Sequence, residues 1–231
     1  HNLQATFQSL DESEQEKRMM IAQLSHDIKT PITSIQVTVE GILDGVIKEE
    51  ERLHYLATIG RQTERLNKLV EELDVLTLNT QPQDTADEEV EEVFLDQLLI
   101  ESMSEFQLQI EQEERDVYIQ VSPESAKIKS HSDKLSRILV NLLNNAFKYS
   151  EPGTRIEVLA QLTEQELTIS VKDEGQGILP EDLEKIFKRL YRVETSRNMK
   201  TGGHGLGLAI ARELAHQLGG EITAESQYGL G

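Results

Sequence analysis

The stretch Ile21-Ala22-Gln23-Leu24-Ser25-His26-Asp27-Ile28-Lys29-Thr30-Pro31-Ile32 sets the architecture of the first half of the chain. Its apolar residues fall in steps of three and four, and the series runs on through Ile35, Val39, Ile42 and Val46. That period is one apolar stripe of a long helix, or the a/d seam of a bundle. His26 lies two positions from both Leu24 and Ile28, about 200° around a helix from each. It therefore points away from the seam. Thr30 stands one turn further on the same side. Pro31 has no N–H for the carbonyl of Asp27, so a bend is expected, at a cost of about 3 kcal/mol in a helix interior. An exposed helical histidine is ordinarily idle, and the proline placed five residues beyond it is what argues for use.

Working outward, Leu3, Phe7 and Leu10 carry the same rhythm upstream. Downstream, after a break at Gly45–Glu51, a second stripe follows at Leu53, Leu56, Ile59, Leu66, Leu69, Leu73 and Leu76, ending before Asn79-Thr80-Gln81-Pro82. Two long helices with a short connection form an antiparallel hairpin. Its apolar faces are too long for one pair to hide, so a second hairpin is expected to complete a four-helix bundle as a homodimer.

Residues 81–92 are polar and acidic and read as a linker. Beyond them the pattern mixes. Helices are expected at Phe94–Glu111, Ser132–Tyr149, Pro180–Phe187 and Leu206–Leu218, and strands at Val117–Val121, Arg155–Gln161, Glu166–Lys172 and Glu221–Ser226. The two central strands alternate across a polar turn and read as a hairpin. Helices against a largely antiparallel sheet make an α+β sandwich. The whole is multidomain.

The helix Ser132–Tyr149 has an apolar face of Leu135, Ile138, Leu139, Leu142 and Ala146. Its other side carries Asn141, Asn145 and Lys148 at i, i+4 and i+7. Asparagine is a poor helix former. A row of amide oxygens beside an ammonium suits a hydrated Mg²⁺ and phosphates, since Mg²⁺ prefers oxygen ligands and keeps several waters; an ordinary polar face is the plainer reading. Asp173-Glu174-Gly175-Gln176-Gly177-Ile178 follows a strand, and Gly202-Gly203-His204-Gly205-Leu206-Gly207-Leu208 leads into a helix. Glycines there let backbone N–H groups reach phosphate. No Gly-Lys-Ser/Thr follows, and no βαβ strand precedes, so neither a Walker loop nor a dinucleotide fingerprint is present.

Composition narrows the partners. With 23 Lys+Arg against 42 Asp+Glu the formal net charge is −19. Such a surface repels nucleic acid and anionic lipid. The absence of cysteine rules out disulfides and Cys-ligated zinc and suits a reducing compartment. No run of about 18 apolar residues is present. The chain opens in mid-helix without a Met and reads as a fragment.

Ser25-His26-Asp27-Ile28-Lys29-Thr30-Pro31 resembles the phospho-acceptor box of sensor histidine kinases. The segments Asn141–Ser150, Asp173–Ile178, Ile186–Glu194 and Gly203–Leu208 resemble, in order, the N box, first glycine box, F box and second glycine box of their ATPase domain, a fold shared with gyrase and MutL (the GHKL or Bergerat type). The resemblance implies an entry coiled coil at 1–20, a dimerization and histidine-phosphotransfer domain at 21–80, and an ATP-binding domain at 93–231 lacking its last strand. It implies that His26 takes the γ-phosphoryl group of ATP, that Asp27 holds the other ring nitrogen, and that Thr30 positions water to hydrolyse the phospho-aspartate of a response regulator. Lys29 would steer phosphate. Asn145 would ligate Mg²⁺ with Asn141 assisting, Lys148 would contact phosphate, Tyr149 would stack near adenine, and Asp173 would accept the adenine amino group. Gly175, Gly177, Ile178 and Tyr191 would shape the pocket. Lys188–Gly203 would be a lid, with Arg192 neutralising the transferring phosphate. Gly203, His204, Gly205, Leu206 and Gly207 would line the phosphates.

Leu190 stands where the family often has an aromatic, and His204 where Thr or Ser is frequent. The same resemblance makes the chain the cytoplasmic portion of a bacterial membrane sensor, joined to the membrane only through an upstream segment. An ATPase of this superfold without a histidine acceptor, and a dimerization module with a vestigial nucleotide site, are the alternatives. The handedness of the Gly45–Glu51 connection would decide between phosphorylation within a chain and across the dimer.

Overall fold

Helical periodicity produces helices where it was longest. In the computed structural model, which describes residues 2–77, 90–193, 205–229 and 231, α1 runs from Asn2 to Leu43 and α2 from Arg52 to Thr77. A single 3₁₀ turn at Glu49–Glu51 precedes α2. The chain divides into two units, His1–Thr77 and Leu78–Gly231.

In the first unit α1 packs on α2 and continues unbroken through Pro31. The stripe read as one face divides into two. Leu24, Pro31 and Thr38, seven residues apart on α1, are each buried, as is Leu69 on α2. Pro31 thus serves as a filler of the packed face, and Thr38 satisfies its hydroxyl on the carbonyl of Ser34 at 2.8 Å. Ile21, Ile32, Val39 and Val46 on one side, with Leu53, Leu56 and Val70 on the other, stay exposed. No helix of the described residues is long and apolar enough to cross a membrane.

The second unit places β1 (Glu91–Phe94), α3 (Leu95–Ser104), α4 (Gln107–Gln112), β2 (Asp116–Ser122), β3 (Lys127–Ser130), α5 (Ser132–Tyr149), β4 (Arg155–Leu162), β5 (Leu167–Asp173) and α6 (Gly207–Gln217) in that order. β1 pairs antiparallel with β3. The larger sheet has the order β2-β4-β5. β4 and β5 are antiparallel, Ile156 opposite Asp173, as the hairpin reading requires. β2 runs parallel to β4, because β3 and α5 form a crossover between them. Ile156, Val158 and Ala160 of β4 alternate into the core, where Leu139, Leu143, Ala146 and Phe147 of α5 and Leu95, Leu98 and Leu99 of α3 meet them. α5 packs on α3 and on α6.

Several local readings are corrected. The helix expected over Phe94–Glu111 is two, broken so that Phe106 can turn inward and stack on Phe147 with centroids 4.7 Å apart. Pro180–Phe187 forms successive turns rather than a helix, with Asp182 N–H bonded to Leu179 O and Lys185 N–H to Asp182 O. Residues 221–227 do not join a strand ladder. Their end of the chain is tied by Gly229 N–H to Gln176 O at 2.8 Å. β1 and β3, four residues each, are too short for period two to be read.

Candidate functional site

Two sets of residues carry chemistry, one in each unit. In the first, His26 sits on α1 with its side chain 78% exposed, beside an Asp27 side chain only 12% exposed. His26 Nδ1 lies 3.3 Å from Asp27 Oδ1. A carboxylate beside Nδ1 favours the tautomer that carries its proton there, with the lone pair on Nε2. Gln23, one turn earlier, donates its amide to both oxygens of Asp27 at 3.3 and 3.2 Å. Thr30 donates its hydroxyl to the carbonyl of His26 at 3.1 Å, which fixes it one turn above the imidazole. Lys29 is exposed.

In the second unit, α5 presents Asn141, Asn145, Lys148 and Tyr149 half-buried along one side. Asn141 Nδ2 bonds to the Arg137 carbonyl at 2.8 Å and Asn145 Nδ2 to the Asn141 carbonyl at 3.2 Å. With both amide nitrogens turned back onto the helix, both Oδ1 atoms are the outward groups. Asn141 Oδ1 would lie 2.9 Å from a Cβ placed on Gly207, so the first residue of α6 is kept bare beside that oxygen. Lys148 Nζ is 4.9 Å from the centre of the Tyr149 ring.

The glycine loop after β5 closes on the end of α5. Ser150 bridges to Gly175, and Gln176 N–H donates to Tyr149 O at 3.3 Å. Asp173 Oδ1 accepts Gly175 N–H at 2.9 Å. A Cβ on Gly175 would meet that Oδ1 at 2.5 Å and Tyr149 O at 2.6 Å; only glycine lets the three segments approach. Burial raises the Asp173 carboxyl above the ordinary carboxylate range, while the Gly175 N–H and the positive charge of Arg115 pull it back. Ile178 N–H bonds to Ser226 Oγ at 2.8 Å. Gly177 has φ +71° and lies against the backbone of Gln227.

Gly205, also at φ +71°, accepts Leu190 N–H at 2.9 Å through its carbonyl. Leu190 itself has φ +62°. Tyr191 donates its hydroxyl to the buried Asp182 at 2.6 Å. Arg192 is half-buried. Leu206 is 1% exposed as a whole residue, so it stands in the packed interior at the start of α6 rather than on a ligand-facing surface. Gly203, His204 and most of the expected lid fall outside the described residues.

The structure thus brings together Asn141 with Gly207, and Tyr149 with Asp173 and Gly175. Arg115 is a residue the sequence reading passed over. Its side chain is 1% exposed, and it bonds Ser150 and the carbonyls of Phe147 and Ser150. A single basic residue closing the acidic run before β2 was the available signal.

A histidine-bearing helical hairpin followed by an α/β unit whose glycine loops close on one helix is the arrangement of a phospho-acceptor domain followed by an ATPase domain. Residues 16–81 match the family described as His Kinase A (phospho-acceptor) domain. Residues 130–231 match Histidine kinase-, DNA gyrase B-, and HSP90-like ATPase. Histidine protein kinase SaeS of Staphylococcus epidermidis is 39% identical over 222 residues, covering 94% of this chain and 62% of the relative. The chain therefore spans under two thirds of that relative's length. A histidine kinase structure, AdeS of Acinetobacter baumannii, superposes with TM-score 0.68 at 26% identity over 88% of this chain and 92% of its own. A complex of histidine kinase ThkA with response regulator protein TrrA shares the fold, at TM-score 0.65 and 21% identity over 95% of this chain and 62% of that one. The chain belongs to the histidine kinase family.

Proposed function

We propose that this chain is the catalytic portion of a homodimeric, ATP-dependent autokinase that phosphorylates His26 and passes the phosphoryl group to an aspartate of a response regulator. The observation that carries it is the exposed His26 imidazole with Asp27 on one nitrogen, found in one chain with a complete set of nucleotide-box residues. The tautomer retained by Asp27 makes Nε2 the nucleophile. An Nε2–phosphorus bond forms as the bond from the γ-phosphorus to its bridging oxygen breaks, and ADP leaves with the electron pair. Asp27 stabilises the cation that forms on the ring.

Asp173, held by Gly175 N–H, takes the adenine amino group, while Tyr149 and Ile178 enclose the base. Gly205 and Gly207 bring backbone N–H groups to the phosphates, with Lys148 and Arg192 offsetting their charge. The outward amide oxygens of Asn145 and Asn141 fit Mg²⁺, which would supply charge neutralisation at the phosphates.

Thr30, one turn from His26, serves the reverse task, orienting water against the phospho-aspartate of the regulator. ThkA is seen with a response regulator, which supports a partner of that kind here. The exposed stripes of α1 and α2 support the homodimer. A cytoplasmic placement, with a membrane anchor outside this chain, follows the same reading. Phosphotransfer profiling tests it. The phosphorylated chain, offered candidate receiver domains, should hand its label to an aspartate of one of them far faster than to the others. Thr30→Ala should retain that transfer and slow hydrolysis of the regulator's phospho-aspartate by an order of magnitude or more. Transfer to no receiver, or hydrolysis untouched by Thr30→Ala, would contradict it.

A further inference from the structure

Arg115 stands at the start of β2, at the end of the run Glu111-Gln112-Glu113-Glu114, and belongs to none of the nucleotide boxes. Its guanidinium is buried nonetheless. Nε and Nη2 lie 2.7 Å from Glu113 Oε2. Nη2 also donates to Phe147 O at 3.2 Å and Ser150 O at 2.9 Å. Nη1 donates to Ser150 Oγ at 2.7 Å, to Thr154 Oγ1 at 2.8 Å and to Glu151 O. The carbonyls of Phe147, Ser150 and Glu151 lie in and just beyond the last turn of α5, which no intrahelical N–H can satisfy, and a cation there also complements the helix dipole. Backbone bonds reinforce the join, with Gly153 N–H on Glu113 O at 2.8 Å.

What Arg115 grips is the join between the end of α5 and the loop after β5. Ser150 is the residue bridged to Gly175, and Tyr149 O accepts Gln176 N–H. On one side of that join are the α5 residues assigned to metal and phosphate. On the other is the loop assigned to the base. We propose that Arg115 is a positioning residue of the nucleotide site: its forked guanidinium clamps the end of α5 and so sets the spacing between Asn145 and the Asp173–Gly177 loop. This inference rests on the nucleotide-site reading above.

The same cation acts on Asp173 through space. Charged groups near Asp173 include Lys172 and Glu174 beside it in the chain, Arg155 next to its register partner Ile156, and the terminal residue Gly231, whose backbone lies against that of Asp173. Removing the Arg115 charge leaves a half-buried carboxylate less compensated, so Asp173 protonates at higher pH than in the wild type. A protonated Asp173 is a poorer acceptor for an amino group.

The experiment is calorimetric titration of the full chain with a magnesium complex of a non-hydrolysable ATP analogue, across about pH 5.5 to 8. Arg115→Met should weaken binding on the order of tenfold, with the acid-side loss of affinity moved to higher pH. Arg115→Lys should leave that acid limb near its wild-type position yet still lose affinity, because an ammonium cannot reproduce the planar fork. Wild-type affinity in Arg115→Met, or a loss equal at every pH, would overturn the inference. If Arg115→Met does not fold, Arg115→Lys decides, and wild-type binding by it would overturn the clamp. Failure of the wild-type chain itself to bind would defeat the nucleotide-site reading, and the inference with it.

Discussion

Asp173 shows how a site residue can oppose the fold that holds it. Its carboxyl is raised by burial, so the folded chain binds that proton more tightly than the unfolded one. The stability tied to this group is full below the unfolded pKa and is lost as pH rises through the higher folded value. Asp173→Asn keeps an oxygen for Gly175 N–H and removes the buried charge. It should raise the melting temperature of the nucleotide-free chain by a few degrees at neutral pH, with the gain vanishing in acid. Nucleotide binding should be abolished. Thermal unfolding at two pH values, beside calorimetry, checks both halves. Local contacts were legible in the sequence where residues stand at fixed spacing: Asp27 beside His26 with Thr30 one turn on, or Gly175 N–H on the Asp173 carboxylate. Arg115 was not, since a basic residue after an acidic run reads as a solvated charge until Ser150 and the end of α5 are folded against it. Gln23 was hidden for a similar reason. An i, i+4 polar pair on a helix is commonplace, and only the adjacency of Asp27 to His26 gives it interest.

At the scale of elements, α5 meets α6 at the first residue of α6, Gly207. A Cβ on Gly207 would sit 2.9 Å from Asn141 Oδ1. Gly207→Ala should therefore cost affinity for the magnesium nucleotide severalfold. Stability should hold, because alanine is favoured over glycine in a helix by about 1 kcal/mol; titration and melting of one preparation would separate the two effects. The hairpin α1–α2 makes the other prediction. Val39 and Leu56 stay exposed in the single chain. Burying the part of each that remains exposed is worth roughly half of a full side-chain burial, on the order of 1 kcal/mol, and an isologous interface counts each twice. Leu56→Glu should weaken self-association by at least about a hundredfold, measured by sedimentation equilibrium. Long periodic helices and the β4–β5 hairpin could be read in advance because their periods persist over many residues. The four-residue β1 and β3, the break at Phe106 and the turns around Asp182 could not. Each is set by a tertiary partner: Lys127–Ser130 for β1, Phe147 for Phe106, and Tyr191 for Asp182.

At the scale of the whole molecule, one chain carries the proposed acceptor and donor sites in separate units. The first has the exposed His26 imidazole with Asp27 beside Nδ1, the proposed nucleophile. The second has a cleft framed by glycines and outward amide oxygens, which alone would suit any ATPase of this superfold. The account therefore turns on whether the two are chemically joined at His26. The direct measurement is incubation of the chain and of His26→Gln with Mg²⁺ and ATP labelled in the γ-phosphoryl group. The wild type should take up an acid-labile, alkali-stable label, and His26→Gln should take up none while binding the nucleotide analogue as before. Label retained by His26→Gln, or ATP hydrolysed by the wild type without any phosphoprotein, would contradict it.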